Sequence, residues 1–173
     1  MKQVLGLDNF RELEEQDLEL VLSWRNHPDI RGYMYHQHEI MMDEHRRWFE
    51  QNKANPSSFL LMFETTIPLG FVSFKKTGAC VEWGFYTAPD APKGTGTLLG
   101  EAALQYAFEK IEVHKVCGQA LGYNQASKRL HQKIGFQLEG VLREQYFDGE
   151  HDHDIFCFGI LLDEWQMRQK KSV

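Results

Sequence analysis

Apolar residues Leu18, Val21, Leu22 and Trp24 recur at helical spacing behind the acidic openers Asp17 and Glu19, which predicts an amphipathic helix ending before Pro28. A short strand, Phe10 to Leu13, precedes it. A second helix is expected from Asp43 to Asn52, with Asp43 as N-cap, Trp48 and Phe49 as its apolar stripe and His45 in its early turn. From Ser58 the pattern turns to β. Phe59 to Phe63, Leu69 to Phe74 and Val81 to Tyr86, separated by turns at Thr65 to Pro68 and at Thr77-Gly78, predict an antiparallel meander. A loop holding Pro89, Pro92, Gly94 and Gly96 then feeds a helix, and the stripe Leu98, Leu99, Ala102, Ala103, Tyr106, Ala107 marks that helix as buried. Lys115 to Leu121 reads as a strand, and Asn124 to Ile134 as a helix capped by Asn124 and stopped by Gly135. This β–α–β–α order implies a parallel pair. Phe136 to Phe147 and His153 to Leu161 flank Asp148-Gly149, a hairpin signal, and a last helix is expected from Leu162 to Lys170. The expected fold is α+β.

Composition narrows the class. A chain of 173 residues with 42% hydrophobic residues fits one domain over residues 1–173, with no repeat, linker or low-complexity segment to divide it. Such a domain buries roughly 70% of the surface its unfolded chain exposes, so disulfide and metal staples are not needed. The longest apolar stretch, Ile155 to Leu162, falls far short of the ~20 residues a membrane span requires. Asp8, Arg11 and Glu12 follow Met1-Lys2-Gln3-Val4 too closely for a signal-peptide core, so export is not expected. Cys80, Cys117 and Cys157 form no CxxC pair, which fits reduced thiols in a cytoplasmic core. A net charge of −6 repels polyanions and excludes nucleic acid as a natural partner.

A small anion is another matter. Asp90 to Thr97 joins a strand to a helix, where glycines let N–H groups turn outward and a helix N-terminus favours negative charge. The sequence there is neither a Walker loop nor GxGxxG. On the following helix Asn124, Ser127 and His131 lie at i, i+3 and i+7, a polar face, with Ala126, Leu130 and Ile134 expected toward the core.

Taken in order, Glu82-Trp83-Gly84-Phe85-Tyr86, then Lys93-Gly94-Thr95-Gly96, then the run from Asn124 to Phe136 with its N-x-x-S-x-x-L-x-x-K-x-G-F pattern resemble the GNAT superfamily of acetyl-CoA N-acetyltransferases. The resemblance implies acetyl-CoA as acetyl donor and no metal. It also implies a central mixed, mostly antiparallel sheet flanked by helices, with a parallel pair splayed at a bulge. Trp24 to Pro28, Ile30-Arg31, Tyr33-Met34-Tyr35 and His45-x-x-Trp48-Phe49 are similar to UDP-amino-sugar N-acetyltransferases of pseudaminic acid biosynthesis. That likeness implies acetylation of the 4-amine of a UDP-4-amino-4,6-dideoxy sugar on the way to flagellin glycosylation.

Roles follow from the resemblance. Trp83, Gly84, Phe85 and Tyr86 are expected along the pantetheine arm, and Lys93, Gly94, Thr95, Gly96 and Thr97 around the pyrophosphate, with Asn124 and Ser127 beside the coenzyme. The family loop carries Gln or Arg where this chain has Ala91. His131 stands where many members have the Tyr that protonates the leaving thiolate, and it is read either as that acid or as a packing residue. Glu82, through water, or His45 is the expected base. Arg25, Arg31, Lys75 and Lys76 are the cations for a nucleotide diphosphate, with Tyr33, Tyr35, Trp48 and His45 around the sugar or uracil. The run Glu150 to Asp154 is read as a charged edge rather than a metal site. Rival readings are a protein N-terminal or polyamine N-acetyltransferase and a non-catalytic acyl-CoA-binding module. A dimer through the C-terminal hairpin is conceivable.

Overall fold

The computed structural model describes residues 6–171; Met1 to Val4, on which the expectation about export rests, lie outside them. Chain order is β1 (Phe10–Glu12), α1 (Leu18–Asn26), α2 (Pro28–Arg31), α3 (Met42–Lys53), β2 (Ser58–Glu64), β3 (Pro68–Thr77) and β4 (Cys80–Thr87). Then come α4 (Thr95–Glu109), β5 (Lys115–Leu121), α5 (Gln125–Lys133), β6 (Gln137–Phe147), β7 (Asp152–Leu161) and α6 (Leu162–Lys171). The expected elements are all present. Asp43 is not the cap of α3: Met41 holds that place, and Asp43 sits in the first turn, where its charge still suits the helix dipole. The short α2 was not foreseen; it is started by Pro28, whose fixed φ suits a first helical turn, and by the His27 ring, which accepts from the Asp29 N–H. Leu98 of α4 is exposed, while Leu99, Ala102, Ala103 and Ala107 are buried as their stripe implies. The cysteines are half-buried rather than core, and His151 lies in the turn ahead of β7.

All seven strands form one sheet in the order β1-β2-β3-β4-β5-β7-β6. Every neighbouring pair is antiparallel except β4 and β5. One face carries α4, α5 and α6 over a core of Phe63, Phe74, Leu104, Phe158 and Ile160; the other carries α1 and α3 over Val21, Phe49 and Met62. The decisive feature is in the middle. β4 and β5 pair only at Cys80↔Lys115, Val81↔Val116 and Glu82↔Cys117, although both strands run on to Thr87 and Leu121. Beyond Glu82 they part. Their outer neighbours stay in register, β3 with β4 from Thr77↔Cys80 to Gly70↔Thr87 and β5 with β7 throughout. The parting therefore involves no shift of β4 against β3, where the expected bulge would show. Among the described residues, main-chain groups of β4 and β5 that point into the gap past this last pair have no strand partner.

Candidate active site

A cavity of about 830 Å3 opens at this gap, lined by the parted strands, the N-terminus of α4, one side of α5 and residues of α1 to α3. At the α4 end, Gly94 is the N-cap with φ +93°, a conformation costly for any side chain, and a Cβ there would meet nothing within 4 Å. The Thr95 and Thr97 N–H groups are spent on Pro92 and Gly94 carbonyls, and the Thr95 hydroxyl also donates to Pro92. The N–H groups of Gly94 and Gly96 have no partner among the described residues. Gly94, Gly96 and Thr97 line the cavity; Thr95 is buried away from it and Lys93 is exposed outside it. The loop is thus a cradle of amides at a helix N-terminus, suited to a diphosphate. Asn124 and Ser127 also line the cavity, and the Asn124 side chain accepts from the Ser127 N–H as cap of α5.

The wall made by α5 differs from expectation. His131 faces the core: it is 1% exposed and does not line the cavity. Ser127, His131 and Ile134 form one stripe at i−4, i and i+3, and the stripe's inner part is His131 and Ile134, both buried. Its ring stacks on Phe158 at 4.7 Å. Nδ1 lies 2.8 Å from the Ser127 carbonyl, to which it donates, and Nε2 accepts from the Trp83 indole N–H at 3.1 Å. Those partners require the neutral ring, and burial lowers its pKa to about 4. The ring's one proton, on Nδ1, is spent on the Ser127 carbonyl, and with the ring outside the cavity it is not available to a thiolate. His131 instead locks Trp83, the first residue of β4 past the last pair. Gly118, its counterpart on β5, makes room: a Cβ there would sit 2.4 Å from both His131 Nε2 and Trp83 Nε1.

On the opposite face Arg25, Tyr33, Tyr35, His45, Trp48 and Glu82 all line the cavity, as do Trp83, Gly84, Phe85 and Tyr86 of β4. Arg25 Nη2 donates to the His36 carbonyl at 2.8 Å, whereas Nη1, buried, has no partner among the described residues. His45 is 4% exposed, stacks on Trp48 at 5.1 Å, and its Nε2 is likewise without a partner. Burial, with the Arg25 charge adding to it, lowers the His45 pKa, so this ring is neutral too. The remaining cations lie elsewhere. Lys76 Nζ donates to the Ile111 carbonyl behind α4, Lys75 is exposed outside the cavity, and Arg31 does not line it. The reason is strand alternation: Lys76 pairs with Val81, on the core face.

Sequence reasoning named Tyr33 and Tyr35 but not the strap they belong to, the segment 32–41 that joins α2 to α3 along the cavity. Asn26 holds it by exchanging hydrogen bonds with Ile40 at 2.8 Å, and Tyr123 donates to the Gly32 carbonyl at 2.9 Å. It also missed Gln119, whose Oε1 accepts from the Tyr35 hydroxyl at 2.8 Å. A polar residue alternating with Gly118 and Ala120 in an otherwise apolar strand was the available signal.

The family model described as Acetyltransferase (GNAT) domain matches residues 9–137. The chain belongs to this GNAT acetyltransferase family. Among relatives, the acetyltransferase PseH of Campylobacter jejuni subsp. jejuni serotype O:2 is 31% identical over 147 residues, covering 83% of this chain and 92% of that protein. PseH of the serotype O:23/36 strain is 31% identical over 138 residues, covering 78% and 86%. Among solved structures, spermidine N-acetyltransferase of Vibrio cholerae in complex with CoA and spermine superposes with a TM-score of 0.84 at 23% identity, over 91% of this chain and 96% of that one. The GNAT protein described here is an acetyl-CoA N-acetyltransferase, and acetyl-CoA is its donor. The residues present fit that donor, since the N–H groups of Gly94 and Gly96 have no hydrogen-bond partner among the described residues. Among the described residues, no cluster of His, Cys, Asp or Glu is placed to hold a metal ion, and no helix is long and apolar enough to cross a membrane.

Proposed function

We propose that this N-acetyltransferase acts on a nucleotide-linked amino sugar, moving acetyl onto the 4-amine of a UDP-4-amino-4,6-dideoxy sugar in a cytoplasmic pseudaminic acid pathway that serves flagellin glycosylation. The observation that carries the reading is the pair of buried, unpartnered atoms Arg25 Nη1 and His45 Nε2 in the acceptor side of the cavity. Buried polar atoms are rarely left without partners, and a cation with a free donor is complemented by a phosphate or carbonyl oxygen. A polyamine is repelled by the same guanidinium. The likeness to PseH over most of the chain supports the reading.

In this account the cradle amides of Gly94 and Gly96, with Lys93 adding charge from the rim, hold the diphosphate of the donor. Asn124 and Ser127 flank its arm, and Trp83 to Tyr86 offer the main-chain groups that orient the thioester. Trp48, Tyr33 and Tyr35 frame the sugar and base, and Glu82, through water, takes the amine's proton, with His45 as the competing base. The acceptor is bound mainly by Arg25 and His45; Arg31, Lys75 and Lys76 have no part in it.

Thiol release from acetyl-CoA, measured with a UDP-amino sugar, spermidine, a peptide with a free N-terminus and no acceptor, tests the proposal. Fast turnover is expected with the nucleotide sugar, and with the other three only the slow background release to water. Arg25→Ala is expected to raise KM for that sugar about 30-fold, the worth of roughly 2 kcal/mol for a hydrogen bond to a charged group, with KM for acetyl-CoA unchanged. Turnover of spermidine or peptide in preference to the sugar overturns it.

A further inference from the structure

With His131 walled into the core, the departing thiolate needs another proton source, and we infer that it is the hydroxyl of Tyr35, brought to the closed end of the gap by Gln119. This rests on acetyl transfer from the coenzyme, and not on which amine receives it.

Strand spacing places the parts. The cradle lies beside Thr87, since a Cβ on Gly96 would come within 4.0 Å of Thr87 Cγ2. The gap closes at Glu82, roughly 17 Å back along β4 at about 3.3 Å per residue, a span that an extended pantetheine arm covers. The thioester therefore reaches the neighbourhood of Glu82 and of the first β5 residues beyond Cys117. Gln119 is among those residues, roughly 7 Å past the last pair, and it holds the Tyr35 hydroxyl at 2.8 Å. Glu82 acts on the Tyr35 phenol electrostatically from β4 and Cys157 from β7, while Tyr146 of β6 packs its ring at 5.7 Å. The other phenols of the cavity are out of place. Tyr86 is roughly 13 Å beyond Glu82 along β4, and Tyr33 packs its ring, tilted, against Tyr123, past the end of β5.

The chemistry closes. The amine lone pair attacks the carbonyl carbon, a C–N bond forms, and the amine's proton passes through water to Glu82. Collapse restores the carbonyl and breaks the C–S bond; the Tyr35 hydroxyl, which unlike the buried His131 ring is partly exposed and can rotate about its C–O bond, turns from Gln119 Oε1 to the sulfur and gives the thiolate its proton. The phenolate recovers a proton from Glu82 through water, leaving an amide and a free thiol. Tyr35 is 42% exposed; its partial burial, with the Glu82 charge adding to it, raises the phenol's pKa, so the phenol is protonated at neutral pH. Once Glu82 has accepted the amine's proton its charge is gone, and the phenol becomes more acidic at the moment its proton is needed.

Tyr35→Phe removes the hydroxyl and little else. At saturating acceptor, kcat is expected to fall about 100-fold, within the range for general acids, with KM for acetyl-CoA unchanged and the solvent deuterium isotope effect on kcat reduced. A ring-fluorinated tyrosine at position 35, with its more acidic phenol, is expected to bring a fall of kcat into the mildly alkaline range where the wild type stays level. A Tyr35→Phe enzyme within twofold of the wild type overturns the inference, as does a fluorinated enzyme whose kcat stays as level as the wild type's, because packing alone would then be at stake. Slow thiol release with water as acceptor requires the same proton and is expected to drop in parallel. A wild type that ignores the nucleotide sugar thus retires the proposed acceptor while the Tyr35 comparison stays readable in thiol release.

Discussion

The two walls of the cleft each bury a histidine, and they treat it in opposite ways. On the α5 side, both nitrogens of His131 are engaged, by the Ser127 carbonyl and the Trp83 indole. On the α3 side, His45 Nε2 is buried with no partner among the described residues, as is Arg25 Nη1 in the same cavity. An unsatisfied buried polar group costs about 1–3 kcal/mol, so it persists where a ligand completes it, whereas a satisfied one belongs to the framework. Burial alone does not separate chemistry from scaffold; an open hydrogen-bonding position that faces the cavity does, whereas Trp165 Nε1, also without a partner among the described residues, lies in the core away from it.

Breaking the framework wall is expected to give the largest effect. Gly118→Ala drives a methyl group into His131 and Trp83, which Phe158 and Phe136 hold in place by stacking. A loss of about 3 kcal/mol is expected for such overpacking, seen as a fall in Tm of roughly 6–12 °C. A variant as stable as the wild type would show that this wall is soft. Next comes pH. His131 has a folded pKa lowered to about 4 against 6.5 unfolded, so the unfolded chain binds more protons between these values and stability falls as pH drops through that window, by up to about 3 kcal/mol. His45, lowered as well, adds in the same direction. Urea titrations from pH 7 to 4.5 check this, and His131→Gln is expected to flatten the slope that the wild type retains.

The open side gives smaller and more selective effects. Gly96→Asp puts a carboxylate into the amide cradle, and the Kd of acetyl-CoA is expected to rise about 10-fold by calorimetry. Thermal stability should be equal or slightly higher, since an acidic residue suits a helix N-terminus. Lys76→Ala is expected to leave KM for the acceptor within twofold, because its ammonium is tied to Ile111 on the opposite face. A large rise would restore it to the site.

What could be read from the chain divides along the same line. The α4 loop, the cap at Asn124 and the stop at Gly135 are local, so spacing of a few residues reports them, and the strand boundaries follow from periodicity. His131 was misplaced because its position on α5 fits a polar face as readily as the inner stripe, and only Phe158, Phe136 and Trp83, brought in from other strands, decide between them. Lys76 was misassigned because it sits one residue from Lys75 and strand alternation turns it to the other face. The strap's contact between Tyr35 and Gln119 spans 84 residues, and no local pattern encodes a pairing of that separation.

The central claim is that free amides at the start of α4 grip the donor's diphosphate and aim its thioester into the gap past Glu82. Protein labelled with 15N at glycine, titrated with acetyl-CoA and separately with acetylpantetheine, which lacks the diphosphate, tests it directly. The account predicts large, saturable shifts of the Gly94 and Gly96 amide resonances with acetyl-CoA and far smaller ones with acetylpantetheine. Equal responses to both ligands, or resonances that stay still while acetyl-CoA binds, would contradict it.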